Sequence, residues 1–227
     1  RAFRTDRDGG LLPAGLVLCV GGTSVGAADD IVRAVEVARA EDLYVHVDAA
    51  WAGSAIICPE LRGLWQGIEG VDSLVFNPHK WLGAQFDCSI QFVADPEPLV
   101  RTVGIHPEYL RTLGRDEITN YSEWTVPLGR RFRALKLWFL LRAHGLEGLR
   151  EKIRDHVAWA GEAAEAIAGL EDFRLTSERR FALFTFQYAP AGESADAATE
   201  RLLEAVNDDG RIYLTQTTHD GKFVIRF

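Results

Sequence analysis

Ser73-Leu74-Val75-Phe76 is a short apolar run, and Asn77-Pro78-His79-Lys80-Trp81 follows it directly. The run reads as a buried strand, which sets a lysine just past a strand end between a histidine and a tryptophan. Those neighbours argue for burial, and lysine is seldom fully buried without a partner or a task. Desolvation favours the neutral amine, and a neutral amine can attack a carbonyl and hold it as a Schiff base. Taken alone, a lysine in such a turn is more often a solvated surface residue.

A second candidate lies upstream. In His46-Val47-Asp48 the alternation of a strand points His46 and Asp48 to one face. A metal would need a third ligand, and none stands at a recognisable spacing, so His46 is expected to serve as a structural hydrogen-bonding group. Asp48 ends its strand and is followed by the small Ala49 and Ala50. A carboxylate there can pair with a protonated ring nitrogen while the alanines let a flat ring lie against the backbone. Lysine for an imine and an acid for a pyridinium nitrogen are what pyridoxal phosphate chemistry requires. Gly21-Gly22 could add backbone donors for a phosphate, a weak signature by itself.

These residues need elements to place them. Residues 16–20 are a strand candidate closed by Gly21-Gly22-Thr23-Ser24, and Asp29 or Asp30 caps a helix running to about Glu41. Ile31, Val32, Val35 and Ala38 share one face of that helix, and residues 44–48 form the next strand. Strand, helix and strand at this spacing make a right-handed unit with parallel strands. Ligands gather beyond the carboxyl ends of such strands. The ends at 21–24, 48–50 and 77–80 should therefore converge on one edge.

Further on, residues 88–93 read as a strand and 96–101 as a short helix. Between 103 and 121 periodicity fails, with Gly104, Pro107 and Gly114 around Tyr109. Such a long connection is expected to be a working loop. An amphipathic helix spans 130–141, Gly145 ends it, and a second helix over 146–170 carries Ile153, Val157, Ala160, Ala164 and Ile167. A strand at 181–188, a helix at 195–206 and strands at 212–215 and 223–227 suggest a smaller α+β unit.

With 227 residues and a formal charge of −8, the chain suits neither nucleic acid nor an anionic membrane as partner. No apolar run nears the roughly 20 residues that span a bilayer. Cys19, Cys58 and Cys88 form no Cys-x-x-Cys pair and are expected as buried thiols in a reducing, cytoplasmic setting. The chain begins at Arg1, has no methionine and stops within the strand-like 223–227, so it is expected to be a fragment.

Four runs carry a resemblance: His46-Val47-Asp48-Ala49-Ala50-Trp51-Ala52-Gly53-Ser54-Ala55, Asn77-Pro78-His79-Lys80-Trp81, Phe86-Asp87-Cys88-Ser89 and Pro127-Leu128-Gly129-Arg130-Arg131-Phe132. In order and spacing they resemble the aromatic L-amino-acid decarboxylases, group II pyridoxal phosphate enzymes of the aspartate aminotransferase fold (fold type I). The likeness runs from about Leu16 to Phe227. It implies an α/β fold: residues 1–135 as the C-terminal half of the cofactor-binding large domain, and 136–227 as connecting helices with an incomplete small domain. It implies Lys80 as the Schiff-base lysine, Asp48 as partner of the pyridine nitrogen, Ala50 against one ring face and Thr23 beside the ring. Asn77 and His79 match positions near the phosphate and the imine. Tyr109, in His106-Pro107-Glu108-Tyr109-Leu110, matches the loop tyrosine that returns a proton after carbon dioxide leaves.

Phenylalanine in place of that tyrosine marks aldehyde-forming relatives, so Tyr109 favours simple decarboxylation. Gly129 stands where histidine-decarboxylating relatives tend to carry serine, and it suits a bulkier phenol or indole in the substrate pocket. Ser24 departs from the family's usual Gly-Thr-Thr. The family's N-terminal half, with its main phosphate loop and most of the substrate pocket, has no counterpart here. The expected activity is decarboxylation of tyrosine, tryptophan or dihydroxyphenylalanine to the amine, in a homodimer. An aldehyde-forming or acidic-substrate relative, or an inactive half-length subunit supporting another chain, are the alternatives.

Overall fold

The computed structural model describes residues 2–105 and 119–227. After a short helix α1 (Ala2–Asp8), β1 (Gly15–Cys19), α2 (Ile31–Ala40) and β2 (Tyr44–Asp48) form the expected parallel unit. Asp30 caps α2 by accepting from the Arg33 backbone N–H at 3.0 Å, which satisfies a donor that the first helical turn leaves free. β3 (Ser73–Phe76) lies parallel beside β2, and β4 (Ile90–Val93) closes the sheet antiparallel to β3. The order β1-β2-β3-β4 thus gives a mostly parallel sheet with one antiparallel edge.

Alternation on β2 sends Val45 and Val47 inward to full burial while Tyr44 and Asp48 are exposed. The core under this sheet takes Val20, Ala49 and Ala52 from the strand ends, Ile31 and Ala38 from α2, and Leu149 and Ile153 from a later helix. Between β2 and β3, three 3-10 turns (Ala52–Ile57, Pro59–Trp65 and Ile68–Gly70) replace the helix that a long crossover usually carries. Gly53 belongs to this close packing: a Cβ on it would stand 2.3 Å from the Phe76 Cβ.

After α3 (Glu97–Val103), a long helix α4 (Ala134–Ala168) leads into a second sheet. The helix expected from residue 130 begins only at Ala134, and Gly145 (φ 66°, ψ 172°) breaks it where the sequence places a stop. The second sheet is antiparallel, with β5 (Phe173–Leu175), β6 (Thr185–Tyr188), β7 (Thr215–His219) and β8 (Lys222–Arg226) in the order β5-β6-β8-β7. Helix α5 (Ala195–Asp209) lies between β6 and β7 in the chain.

Two strands differ from expectation. The strand expected over 181–188 starts at Thr185, because Phe181 takes a left-handed φ of 53°. Around it Arg180 and Leu183 exchange backbone hydrogen bonds of 2.9 and 3.0 Å in a tight turn. The strand expected at 212–215 lies at Thr215–His219 instead. Residues before it are tied to α5, where Asn207 donates to the Leu214 carbonyl at 3.0 Å and accepts from its N–H at 2.9 Å. Asp220-Gly221, both at positive φ, then turn β7 into β8 as a two-residue hairpin.

Candidate functional site

β1, β2 and β3 run side by side in register, with Cys19 opposite Asp48 and Asp48 opposite Val75. The pairing continues past the strand ends. Val20 N–H donates to the Asp48 carbonyl, Ala49 N–H to Val75 and Asn77 N–H to Ala50, each at 2.9 Å. The segments bearing Thr23, Asp48, Ala50, Asn77, His79 and Lys80 are thereby tied into one edge, as parallel topology demands.

On the first strand end, Gly21 and Gly22 both donate to the Ala27 carbonyl at 2.9 Å, which pinches 21–27 into a closed loop with Thr23 exposed on it. Gly21 has φ 83°, and a Cβ there would lie 2.3 Å from the Ala52 Cβ, so only glycine fits. Asp29 anchors the loop's far side by accepting from the Cys19 N–H at 2.7 Å.

The second strand end places Asp48. Its Oδ1 accepts from the Ala50 N–H at 2.9 Å, which fixes the carboxylate at the sheet edge. Among the described residues Oδ2 has no hydrogen-bond partner, so it stays available to a donor from outside the chain. His46, two residues earlier, bonds the Ser73 hydroxyl through Nδ1 at 2.6 Å, which is the structural role expected of it. No cluster of metal-ligating side chains occurs among the described residues.

Residues 77–89 connect β3 to its antiparallel neighbour β4 and carry the lysine on a heavily braced turn. Lys80 N–H donates to the Asn77 carbonyl at 2.9 Å, and Ala84 N–H to Pro78 at 2.9 Å. The Asn77 Oδ1 accepts from the Ser89 hydroxyl at 2.6 Å. His79 Nδ1 faces both backbone groups of Cys88, at 2.7 Å from the carbonyl and 3.1 Å from the N–H, while Phe86 stands edge-on to its ring. Burial pushes the Cys88 thiol up.

Lys80 itself is exposed, although Pro78 and Trp81 around it are buried. The expectation of a buried lysine is corrected: the turn buries its apolar flanks and leaves Lys80 exposed beyond the strand end. Gly129 is exposed, with nothing within 4 Å of where a side chain would begin. Tyr109 and its neighbours 106–118 lie outside the described residues. The thiols are unpaired, and Cys19 is only partly buried.

Spacing could not have shown the braces from distant sequence. Arg133 donates to Asp87 at 2.9 Å and holds its carboxyl below the usual carboxylate range. Lys136 donates to the Phe86 and Asp87 carbonyls at 3.0 and 3.2 Å. Trp51 and Trp81 stack under the strand ends with centroids 4.8 Å apart. Ser89 lay within the motif Phe86-Asp87-Cys88-Ser89, but nothing in that run points to Asn77.

An amine, a carboxylate with a free oxygen, a small residue at Ala50 and hydrogen-bonding side chains at Asn77 and His79 now share one edge. That set suits an aldehyde-bearing, protonated aromatic cofactor. The family described as pyridoxal-dependent decarboxylase conserved domain matches residues 1–189. Tyrosine decarboxylase 2 of Narcissus pseudonarcissus is 39% identical over the whole chain, and phenylacetaldehyde synthase of Arabidopsis thaliana is 38% identical over 99% of it. The crystal structure of Oryza sativa TDC with PLP and tryptamine superposes on the whole chain with a TM-score of 0.95 at 40% identity. The chain spans 46%, 47% and 48% of these three proteins, respectively, about half of each.

Proposed function

The chain belongs to the pyridoxal-dependent decarboxylase family, and on that premise we propose that the protein carrying it decarboxylates an aromatic L-amino acid to its amine. One observation carries this reading: Lys80, Asp48 and Thr23 sit on three adjacent parallel strand ends that hydrogen-bond to one another. Relatives named for tyrosine decarboxylation and a neighbour crystallised with tryptamine support an aromatic substrate.

When bound, pyridoxal phosphate supplies a protonated ring that accepts the electron pair left by the departing carboxyl group. Lys80 would hold the cofactor's carbonyl carbon from the open edge. Asp48 would keep the ring nitrogen protonated through Oδ2, since Oδ1 is committed to Ala50. Ala50 and Thr23 would flank the ring, and Asn77 and His79, locked by Ser89 and Cys88, would line the lysine side. Tyr109 would return a proton to the substrate carbon, and Gly129 would leave room for a phenol or indole.

A homodimer is supported by the exposed apolar side chains on the first half of α4, including Trp138, Phe139 and Leu146. Three unpaired thiols support a reducing, cytoplasmic compartment.

The test uses the protein expressed from its full natural coding sequence. Lys80→Ala should remove both the visible absorbance of the cofactor-loaded protein and turnover; a variant retaining both would overturn the assignment. The similarity to phenylacetaldehyde synthase favours a second reading, aldehyde formation. Amine, aldehyde and carbon dioxide yields from tyrosine, tryptophan, dihydroxyphenylalanine and glutamate separate the two. Tyr109→Phe should shift product from amine toward aldehyde.

A further inference from the structure

Trp81 follows Lys80 directly and is 7% exposed. Its ring stacks on Trp51 at 17° between planes, and both meet Phe181 edge-on at 5.9 and 6.1 Å. Trp51 follows Ala50, and its ring edge reaches within 3.0 Å of where a Cβ on Gly21 would stand. The stack therefore underlies all three strand ends of the site: the glycine loop, the Asp48 segment and the lysine turn. Stacking alone lets a ring slide in its plane, whereas a directional hydrogen bond fixes it.

That bond comes from α4. The Trp81 indole Nε1–H donates to His156 Nδ1 at 3.0 Å. One helical turn earlier, Lys152 donates to the Leu82 carbonyl at 3.3 Å, so α4 grips two successive residues beyond Lys80. An indole nitrogen can only donate, so His156 Nδ1 must be bare for the bond to exist. A proton on Nδ1 would set two donors against each other.

We propose that His156 is a positioning residue for Lys80, holding the Trp51–Trp81 floor in register while neutral and releasing the Trp81 indole when protonated. The proposal rests on the reading of Lys80 as the cofactor-binding lysine. The charges acting on the His156 ring among the described residues are Lys152 and Asp155, both on its own helix. The lysine turn packed against it presents the Trp81 indole and the Leu82 carbonyl, and Trp159 leans on the ring with centroids 5.6 Å apart. Burial first, then Lys152, hold the imidazole's pKa below its ordinary 6.5, against the opposing pull of Asp155. The neutral, accepting form thus persists at neutral pH and is lost as pH falls below that range.

The first measurement needs no cofactor: the 15N–1H indole resonance of Trp81, followed from pH 8 to 5 in the complete protein. It should shift along a single titration with its midpoint below 6.5. In His156→Gln, whose amide oxygen accepts without titrating, the resonance should stay fixed. In His156→Phe it should sit at the unbonded position at every pH. The second measurement is the Kd for pyridoxal phosphate over the same range, expected to rise several-fold more on acidification in the natural protein than in His156→Gln. A Trp81 resonance unmoved by acid, or the same Kd profile in His156→Gln, would overturn the proposal. Retained cofactor binding and absorbance in Lys80→Ala would instead overturn the assignment of Lys80, so the two failures are separable.

Discussion

The two sheets are each four-stranded, yet the polar residues inside the second and those at the strand ends of the first are bonded differently. In the antiparallel sheet, Thr185, Gln187 and the neighbouring Thr199 are fully buried. Gln187 Oε1 accepts from Arg174, while its Nε2 donates to Asp196 at 2.7 Å and the Phe223 carbonyl at 3.0 Å. The Thr199 hydroxyl lies 2.7 Å from the Ala195 carbonyl and 3.0 Å from both the Tyr188 carbonyl and N–H. In the parallel sheet, Lys80, Asp48 and Thr23 are exposed at the strand ends, and Asp48 keeps one oxygen without a hydrogen bond among the described residues. Polar groups whose bonding capacity is consumed internally specify the fold. A group such as Asp48, fixed by one bond and exposed, keeps capacity to bond a ligand.

Substitution should separate the two kinds. On the proposed reading, Asp48→Ala should lower decarboxylation by the complete protein about 10²–10³-fold, the scale seen when a preorganised electrostatic partner is removed. It loses one exposed-edge hydrogen bond, so its stability should fall by only about 1 kcal/mol. Turnover and urea melts of the same preparation check both figures, and a large stability loss would erase the distinction. Gln187→Leu should do the reverse. Stranding Asp196 and Arg174 without their partner should cost about 1–3 kcal/mol in urea unfolding, with cofactor affinity of the folded protein unchanged.

The parallel unit and the convergence of its ends were legible in the sequence because they rest on local signals: apolar runs, the Asp30 cap and strand-end punctuation. Gly145 was legible as a break for the same reason. β7 was not, because Thr215-Gln216-Thr217-Thr218-His219 is a polar edge strand with no apolar alternation. Its one clear local marker, Asp220-Gly221, is the dipeptide that two-residue hairpins favour. The exposure of Lys80 was open in the sequence, where a solvated turn lysine stood against a buried one, since an apolar Pro78 and Trp81 do not say how far the residue between them is covered. The braces from Arg133, Lys136 and His156 join positions 46 to 75 residues apart, and no spacing rule reaches across the fold.

The smallest effect expected lies on the same half of α4 as His156 and runs through a different pH range. Arg154 donates to Glu60 through Nε at 2.5 Å and Nη2 at 3.3 Å, joining α4 to the Pro59–Trp65 turn. The guanidinium holds the Glu60 carboxyl down to about 2, from an ordinary 4.5. A carboxylate whose folded pKa is depressed contributes stability above its unfolded pKa and loses it as pH falls toward the folded value. The contribution of this pair should therefore be complete at pH 7, decline below about 4.5 and vanish near 2. Both side chains are nearly half exposed, at 45% and 47%, so solvent and salt screen the pair and the total should sit near the limit of detection. Urea melts of the natural protein and Glu60→Gln at pH 7, 4 and 2 should differ slightly at pH 7 and coincide at pH 2. A difference that persisted at pH 2, or survived 1 M salt undiminished, would mean that Glu60 acts through packing rather than charge.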